Sequence, residues 1–182
     1  IKHSSAQQIS QACVFITQNT DHIVFVQNAQ REAIPINLSR SQILGAELSA
    51  QFNLKAIRSE SSATWMSTQN LSANETTYGN ALPNIPSWQL SQRSTITAFE
   101  VSLTHHWMWS SRVNWDTLGG FSAPPRSLHS VDLSHQKGAW KVDVGVTNLF
   151  DNRTQELPMD PFNPELGNST RAVMDYVGLP IS

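Results

Sequence analysis

From Ser41 to Leu54 the chain alternates without a break. Leu44, Ala46, Leu48, Ala50, Phe52 and Leu54 fall on one face, and Ile43, Gly45, Glu47, Ser49, Gln51 and Asn53 on the other. Successive side chains of a strand point to opposite sides, so a period of two builds a sheet with one apolar and one polar face. A strand of this length is unusual for a globular protein, where about 5–6 residues is typical. It suits a tilted strand that crosses a bilayer and projects beyond it, which needs about 9–11 residues for the crossing alone.

The pattern recurs. Trp140, Val142, Val144 and Val146 alternate with Lys141, Asp143, Gly145 and Thr147 in the run Trp140 to Phe150. Phe99, Val101, Leu103, His105, Trp107 and Trp109 alternate with Glu100, Ser102, Thr104, His106 and Met108. The tryptophans at one end of that stripe fit an interfacial aromatic girdle. Weaker strand patterns cover Ala12 to Thr17, His22 to Asn28, Ile57 to Thr68, Trp88 to Ile96 and Arg126 to His135. The first two flank Asn19-Thr20-Asp21, which has the composition of a tight turn. The expectation is an all-β, antiparallel meander of about eight long strands forming part of a transmembrane β-barrel.

The connections alternate in length. Short turns are expected near 19–21, 55–57, 97–98 and 136–138, and long irregular loops near 29–40, 70–87, 115–125 and 151–180. All 9 prolines fall in the long loops on this reading, as strands that donate to a ladder require. Short turns at one rim and long loops at the other are the pattern of an outer-membrane barrel.

Composition narrows the function. Lys+Arg is 12 against Asp+Glu 14, a net charge of −2. That is no footprint for nucleic acid. Charged residues are 14%, against roughly 25% in an ordinary soluble domain. The mean hydropathy of −0.31 suits alternating strands, which score as mildly hydrophilic. No run approaches the roughly 18 apolar residues of a membrane helix. The single cysteine, Cys13, excludes a disulfide framework and reads as a small core residue.

Three segments then carry a resemblance. Val142-Asp143-Val144-Gly145-Val146-Thr147-Asn148-Leu149-Phe150-Asp151 resembles the "NLFD" penultimate strand of TonB-dependent outer-membrane receptors. Ile23 to Asn28 followed by Asn37 to Leu48, with Gly45 and Glu47, resembles that family's earlier strand pair. Leu82-Pro83-Asn84-Ile85-Pro86 resembles its "LP-x-x-P" strand opening. The motif positions are therefore Gly45, Glu47, Pro83, Pro86, Asn148, Leu149 and Phe150. The resemblance implies a bacterial outer-membrane receptor that captures a scarce nutrient, commonly an iron-siderophore complex, and imports it.

It also implies partners: the bilayer of the outer membrane, a plug domain of the same full-length chain, and the TonB energy-transducing complex acting through that plug. Residues 1–182 are read as a single partial barrel domain, truncated at both ends and lacking the plug and the closing strand. No cofactor is expected beyond the transported chelate.

Candidate contacts for a small-molecule ligand lie in the long loops: Tyr78 and Asn84 in one, and Trp115, Phe121 and Arg126 in another. Aromatic and polar groups of this kind stack on and hydrogen-bond a chelate or sugar. No metal site is expected. His105 and His106 face opposite ways in a strand, and His129 and His135 lie about 20 Å apart along one. The acidic group Asp151, Glu156, Asp160 and Glu165 reads as a solvated loop. No nucleophile elbow or phosphate-binding loop occurs, so no catalytic residue is expected and an enzyme is disfavoured. Two other readings remain open: a small complete outer-membrane barrel with a structural or adhesion role, and a soluble β-sandwich that binds carbohydrate.

Overall fold

The computed structural model describes residues 2–4, 8–27, 32–73 and 76–152. Its strands are β1 (Lys2–Ser4), β2 (Gln8–Gln27), β3 (Ala33–Leu54), β4 (Ile57–Asn70), β5 (Trp88–Ala98), β6 (Val101–Ser110), β7 (Val113–Asn114), β8 (Ser122–Ala123), β9 (Arg126–Lys137) and β10 (Trp140–Val146). Eight of them form one antiparallel sheet in the order β1-β2-β3-β4-β5-β6-β9-β10, and β7 pairs with β8. The expected antiparallel meander is what the chain builds. Among the described residues no helix is long and apolar enough to cross a membrane.

Register carries the alternation from strand to strand. Val14 pairs with Ala46, and Ala46 with Trp65. Trp65 pairs with Trp88, and Leu90 with Trp109. Lower down, Ile57 pairs with Ile96, Ile96 with Leu103, Leu103 with Leu133, and Leu133 with Val144. Paired residues share a face, so one side of the sheet is apolar across its width. The same register places Gln51, Glu60, Arg93 and His106 on the other side.

Among the described residues, the apolar side has no second layer. Val14, Ile16, Leu48, Leu103, Val142 and Val144 are all exposed, Val14 to 76%. Two stacked sheets would bury such a stripe about 10 Å away on a partner face, which removes the soluble sandwich. Trp65, Trp88 and Trp109 lie toward the end carrying the long loops, and Phe99 and Trp140 lie beside the short turns. These are the two edges of an apolar band of the kind a bilayer covers. Among the described residues no ladder joins β1 to β10, so the sheet is an open wall rather than a small closed barrel.

Several expectations are corrected. Asn19-Thr20-Asp21 makes no turn: β2 runs through it, paired with β3 along its length. Asp21 takes φ 53° there, a conformation that Asp tolerates better than most residues, and the pair Asp21–Ser39 alone drops out of the ladder. Residues 33–40 are strand, not loop, and Pro35 lies inside β3 opposite Phe25. β4 ends opposite Ser41, so at Pro35 the strand has a ladder on one side only, the setting in which proline is tolerated. The turn expected at 97–98 sits two residues later, at 99–100, and the one expected at 136–138 narrows to 138–139, with Gly138 at the expected positive φ of 57°. The strand expected over Trp140 to Phe150 ends at Val146. Cys13 is exposed rather than packed in a core.

The buried core lies outside the apolar band. Val24, Val26 and Leu38 of the β2–β3 hairpin are covered by Leu82 from the 71–87 loop, with Ile36, Ile43 and Ile85 packed against them. A second cluster, Val113, Trp115 and Ala123 with Phe121, fills the 111–125 loop around β7 and β8.

Candidate functional site

Two places gather functional chemistry: the polar face of the wall and the loops at its upper rim. On the polar face Arg58 donates from Nε to Glu60 Oε1 at 3.1 Å and closes an ion pair with it. The two are i and i+2 on one strand, which is why they share a face. Arg93 lies directly across from Glu60 on one side and from His106 on the other. A hollow of about 410 Å³ is lined by Gln51, Glu60, Ser62, Arg93, His106 and Met108 among others. A second, of about 490 Å³, lies nearer the long loops and is lined by Thr64, Gln89, Ser110, Arg126 and Leu128. Gly145 belongs to the same face, and a Cβ there would collide with the Asp132 carboxylate opposite.

At the rim, backbone and side-chain hydrogen bonds tie the loops together. Asn84 takes φ 61°. Its N–H donates to the Asn114 carbonyl (2.8 Å), and its Nδ2 donates to the carbonyl of Phe25 (3.0 Å). Asn80 Nδ2 donates to the Thr117 carbonyl at 2.8 Å. Leu82 N–H donates to Thr68 Oγ1 at 2.9 Å, and Leu71 N–H to the Arg40 carbonyl at 2.9 Å. The β2–β3 hairpin, the 71–87 loop and the 111–125 loop thus form one joined unit.

The loop residues singled out from sequence take different places in it. Tyr78 is 60% exposed. Arg126 opens β9 and borders the upper hollow. Trp115 is buried, Phe121 packs beside it, and the Trp115 N–H donates to the Phe121 carbonyl at 2.8 Å. Asn84 is the tether just described. Pro83 is buried beside Leu82, and Pro86 half-buried.

The motif residues have local physical reasons. Gly45 sits opposite Phe15, whose ring fills the space a Cβ would need. Glu47 is exposed on the polar face, in register with Cys13 and Thr64. Asn148 is buried at φ 50°, its Oδ1 accepting from the Asn152 N–H at 2.8 Å and its Nδ2 donating to the Asn152 carbonyl at 3.1 Å. That closes the turn after β10. Leu149 N–H then donates to the His129 carbonyl at 2.8 Å. Phe150 sets its ring edge-on to His129, with centroids 4.9 Å apart.

Periodicity did not expose two pairings. His106 borders the polar hollow beside Arg93, while His105 lies on the apolar face with its Nε2 3.1 Å from His129 Nδ1. The opposite facing of His105 and His106 was legible, but their cross-strand partners depend on register. Two imidazoles do not make a metal centre, and no group of three or more His, Cys, Asp or Glu side chains converges among the described residues. Of the acidic group, Glu156, Asp160 and Glu165 lie outside the described residues.

The comparisons with known proteins agree with this geometry. The family model described as "TonB dependent receptor-like, beta-barrel" matches residues 12–149. No curated protein matches the chain. Among solved structures, the ferric yersiniabactin uptake receptor FyuA from Yersinia pestis superposes with a TM-score of 0.70 at 17% identity, over 86% of this chain and 24% of that one. The siderophore receptor PiuA from Acinetobacter baumannii gives 0.67 at 14% identity, over 83% and 23%. The copper transporter OprC gives 0.66 at 20% identity, over 85% and 24%. At these identities the likeness is one of fold, and the chain spans about a quarter of the length of the receptors it resembles. By the family match over residues 12–149, the chain belongs to the β-barrel family of TonB-dependent receptors, which are proteins of the bacterial outer membrane.

Proposed function

We infer that the chain is a stretch of barrel wall from an outer-membrane receptor that captures a scarce nutrient at the cell surface and passes it inward, as one domain of a longer protein. The observation that carries this is the division of one unlayered sheet into an exposed apolar face and a charged, hollowed face, with the long loops joined at one rim. A closed wall of this kind pairs every backbone group within the bilayer and lines a polar passage, which takes about 22 strands in the large transporters.

The ligand is a small chelate of a metal, iron in the first instance, because structurally similar proteins are described as a siderophore receptor, a ferric yersiniabactin uptake receptor and a ferric enterobactin receptor. Tyr78 and Arg126 are the residues placed to touch it: one is exposed on a loop, the other borders the upper hollow. Trp115, Phe121 and Asn84 act by holding those loops in position. Import is driven through a plug domain by the TonB complex of the inner membrane.

The test is growth of iron-starved cells whose only uptake route is the intact receptor carrying this wall. Growth on one or more ferric chelates, abolished when TonB is deleted, is the expected result. Wild-type growth without TonB overturns the energisation, and no growth on any metal chelate overturns the ligand class.

A further inference from the structure

We propose that Arg93 and His106 form a carboxylate-holding station on the polar face of the wall, below the rim loops and separate from Tyr78 and Arg126. It rests on the reading of this face as a passage for a small ligand. The local charge is unbalanced. Arg58 is neutralised by its ion pair with Glu60, which leaves the Arg93 guanidinium as the uncompensated cation of the cluster. Arg93 borders two hollows, of about 410 and 260 Å³.

Across the ladder from it, His106 presents a buried Nε2 with no hydrogen-bond partner among the described residues. A buried ring nitrogen left unpaired is costly, and a group that supplies the missing oxygen relieves it. A planar carboxylate meets both needs, taking the forked N–H donors of Arg93 and the N–H of His106. Met108 forms an apolar side of the same hollow, which favours an acid with a carbon skeleton over a bare inorganic anion.

The carboxylate has two possible sources: the transported ligand, or an acidic side chain of the same receptor that fills the barrel. The experiment uses the intact receptor in detergent micelles with its methionine methyl groups labelled. It is titrated with succinate and, as the neutral match, succinamide. Saturable movement of the Met108 methyl signal with succinate, absent with succinamide, assigns the site to a free ligand. Arg93→Gln is then expected to weaken succinate by about ten- to a hundredfold, and Arg93→Lys to recover part of the loss.

No response to succinate, together with a lower unfolding midpoint in Arg93→Gln that Arg93→Lys restores, assigns the carboxylate to the receptor's own chain. No succinate response and an unchanged midpoint overturn the proposal. Chelate uptake by the wild-type receptor is scored separately, so loss of the station and loss of the transport reading give different results.

Discussion

The ring of Phe15 lies over Gly45, its direct partner across the β2–β3 ladder, and occupies the space where a Cβ would stand. Glycine in a strand weakens it by entropy and by the absence of a packing side chain. Covering it with a cross-strand aromatic ring restores that contact. Gly45→Ala is therefore expected to destabilise the intact receptor by about 1–3 kcal/mol through overpacking. Adding Phe15→Ala should recover part of the loss. Denaturant midpoints of the two single variants and the double variant in micelles measure the coupling, and simple additivity would refute it.

The two faces of β6 should answer charge differently. Leu103 is on the apolar face and exposed, whereas its neighbour Ser102 points to the polar face. Leu103→Arg should cost about 2–4 kcal/mol at mid-depth in a bilayer. Ser102→Arg should leave stability much less changed, since substitutions on the lumen face tune selectivity instead. Equal effects would mean that the apolar face does not meet lipid.

Asn84 should matter for its conformation and for its side chain separately. Its φ of 61° costs an ordinary residue roughly 1–2 kcal/mol. Asn84→Gly keeps the backbone but loses the Nδ2 bond to Phe25, and Asn84→Ala loses both. Hydrogen exchange at Leu82 and Trp115 is expected to quicken modestly in the glycine variant and more in the alanine variant. Equal quickening in the two variants would show that the side-chain bond dominates and that the backbone conformation contributes little.

Ligand contacts and loop braces should also separate. Tyr78→Ala and Arg126→Gln are expected to weaken chelate binding severalfold with little change in the unfolding midpoint, as for single contacts of about 1 kcal/mol. Trp115→Ala removes a buried aromatic and should lower the loop's protection from proteolysis first, at a cost of about 3–5 kcal/mol. Unchanged binding in both Tyr78→Ala and Arg126→Gln would move the ligand away from this rim.

In residues 1–182 expressed alone, the described sheet leaves its apolar face uncovered and its outer strands β1 and β10 as edges. Both are aggregation hazards in water. Size-exclusion chromatography should show monomer only in detergent. A detergent-free monomer with a sharp cooperative melt would contradict the membrane wall.

The sheet was legible wherever one face meets an apolar medium and the other a polar one. Ser41 to Leu54 and Trp140 to Val146 carry that contrast residue by residue, so period two identified them. Residues 33–40 do not. There the strand is held by its ladder to β2 and by Leu82 packed against it, contacts from distant sequence that override the turn-like look of a proline segment. Asn19-Thr20-Asp21 misleads for a related reason: Asp tolerates a left-handed conformation, and here it takes one at the single position where the ladder is interrupted rather than in a turn. The rim loops could be located from their prolines, yet the division of roles within them could not. Trp115 and Tyr78 are both loop aromatics, and only packing separates a brace from an open ring. Arg93 and His106 meet through register, which alternation along one strand does not determine.

β3 continues beyond the end of β4 from Ala33 to Arg40, an overhang of roughly 25 Å at strand spacing. A free two-stranded ribbon of that reach would sway, since an isolated hairpin is marginal in water. Leu82 and Ile85 lie beneath this one as a buttress. On the function proposed above, this hairpin would stand as a braced post at the entrance, and the looser loops of the rim would be the parts free to move around cargo.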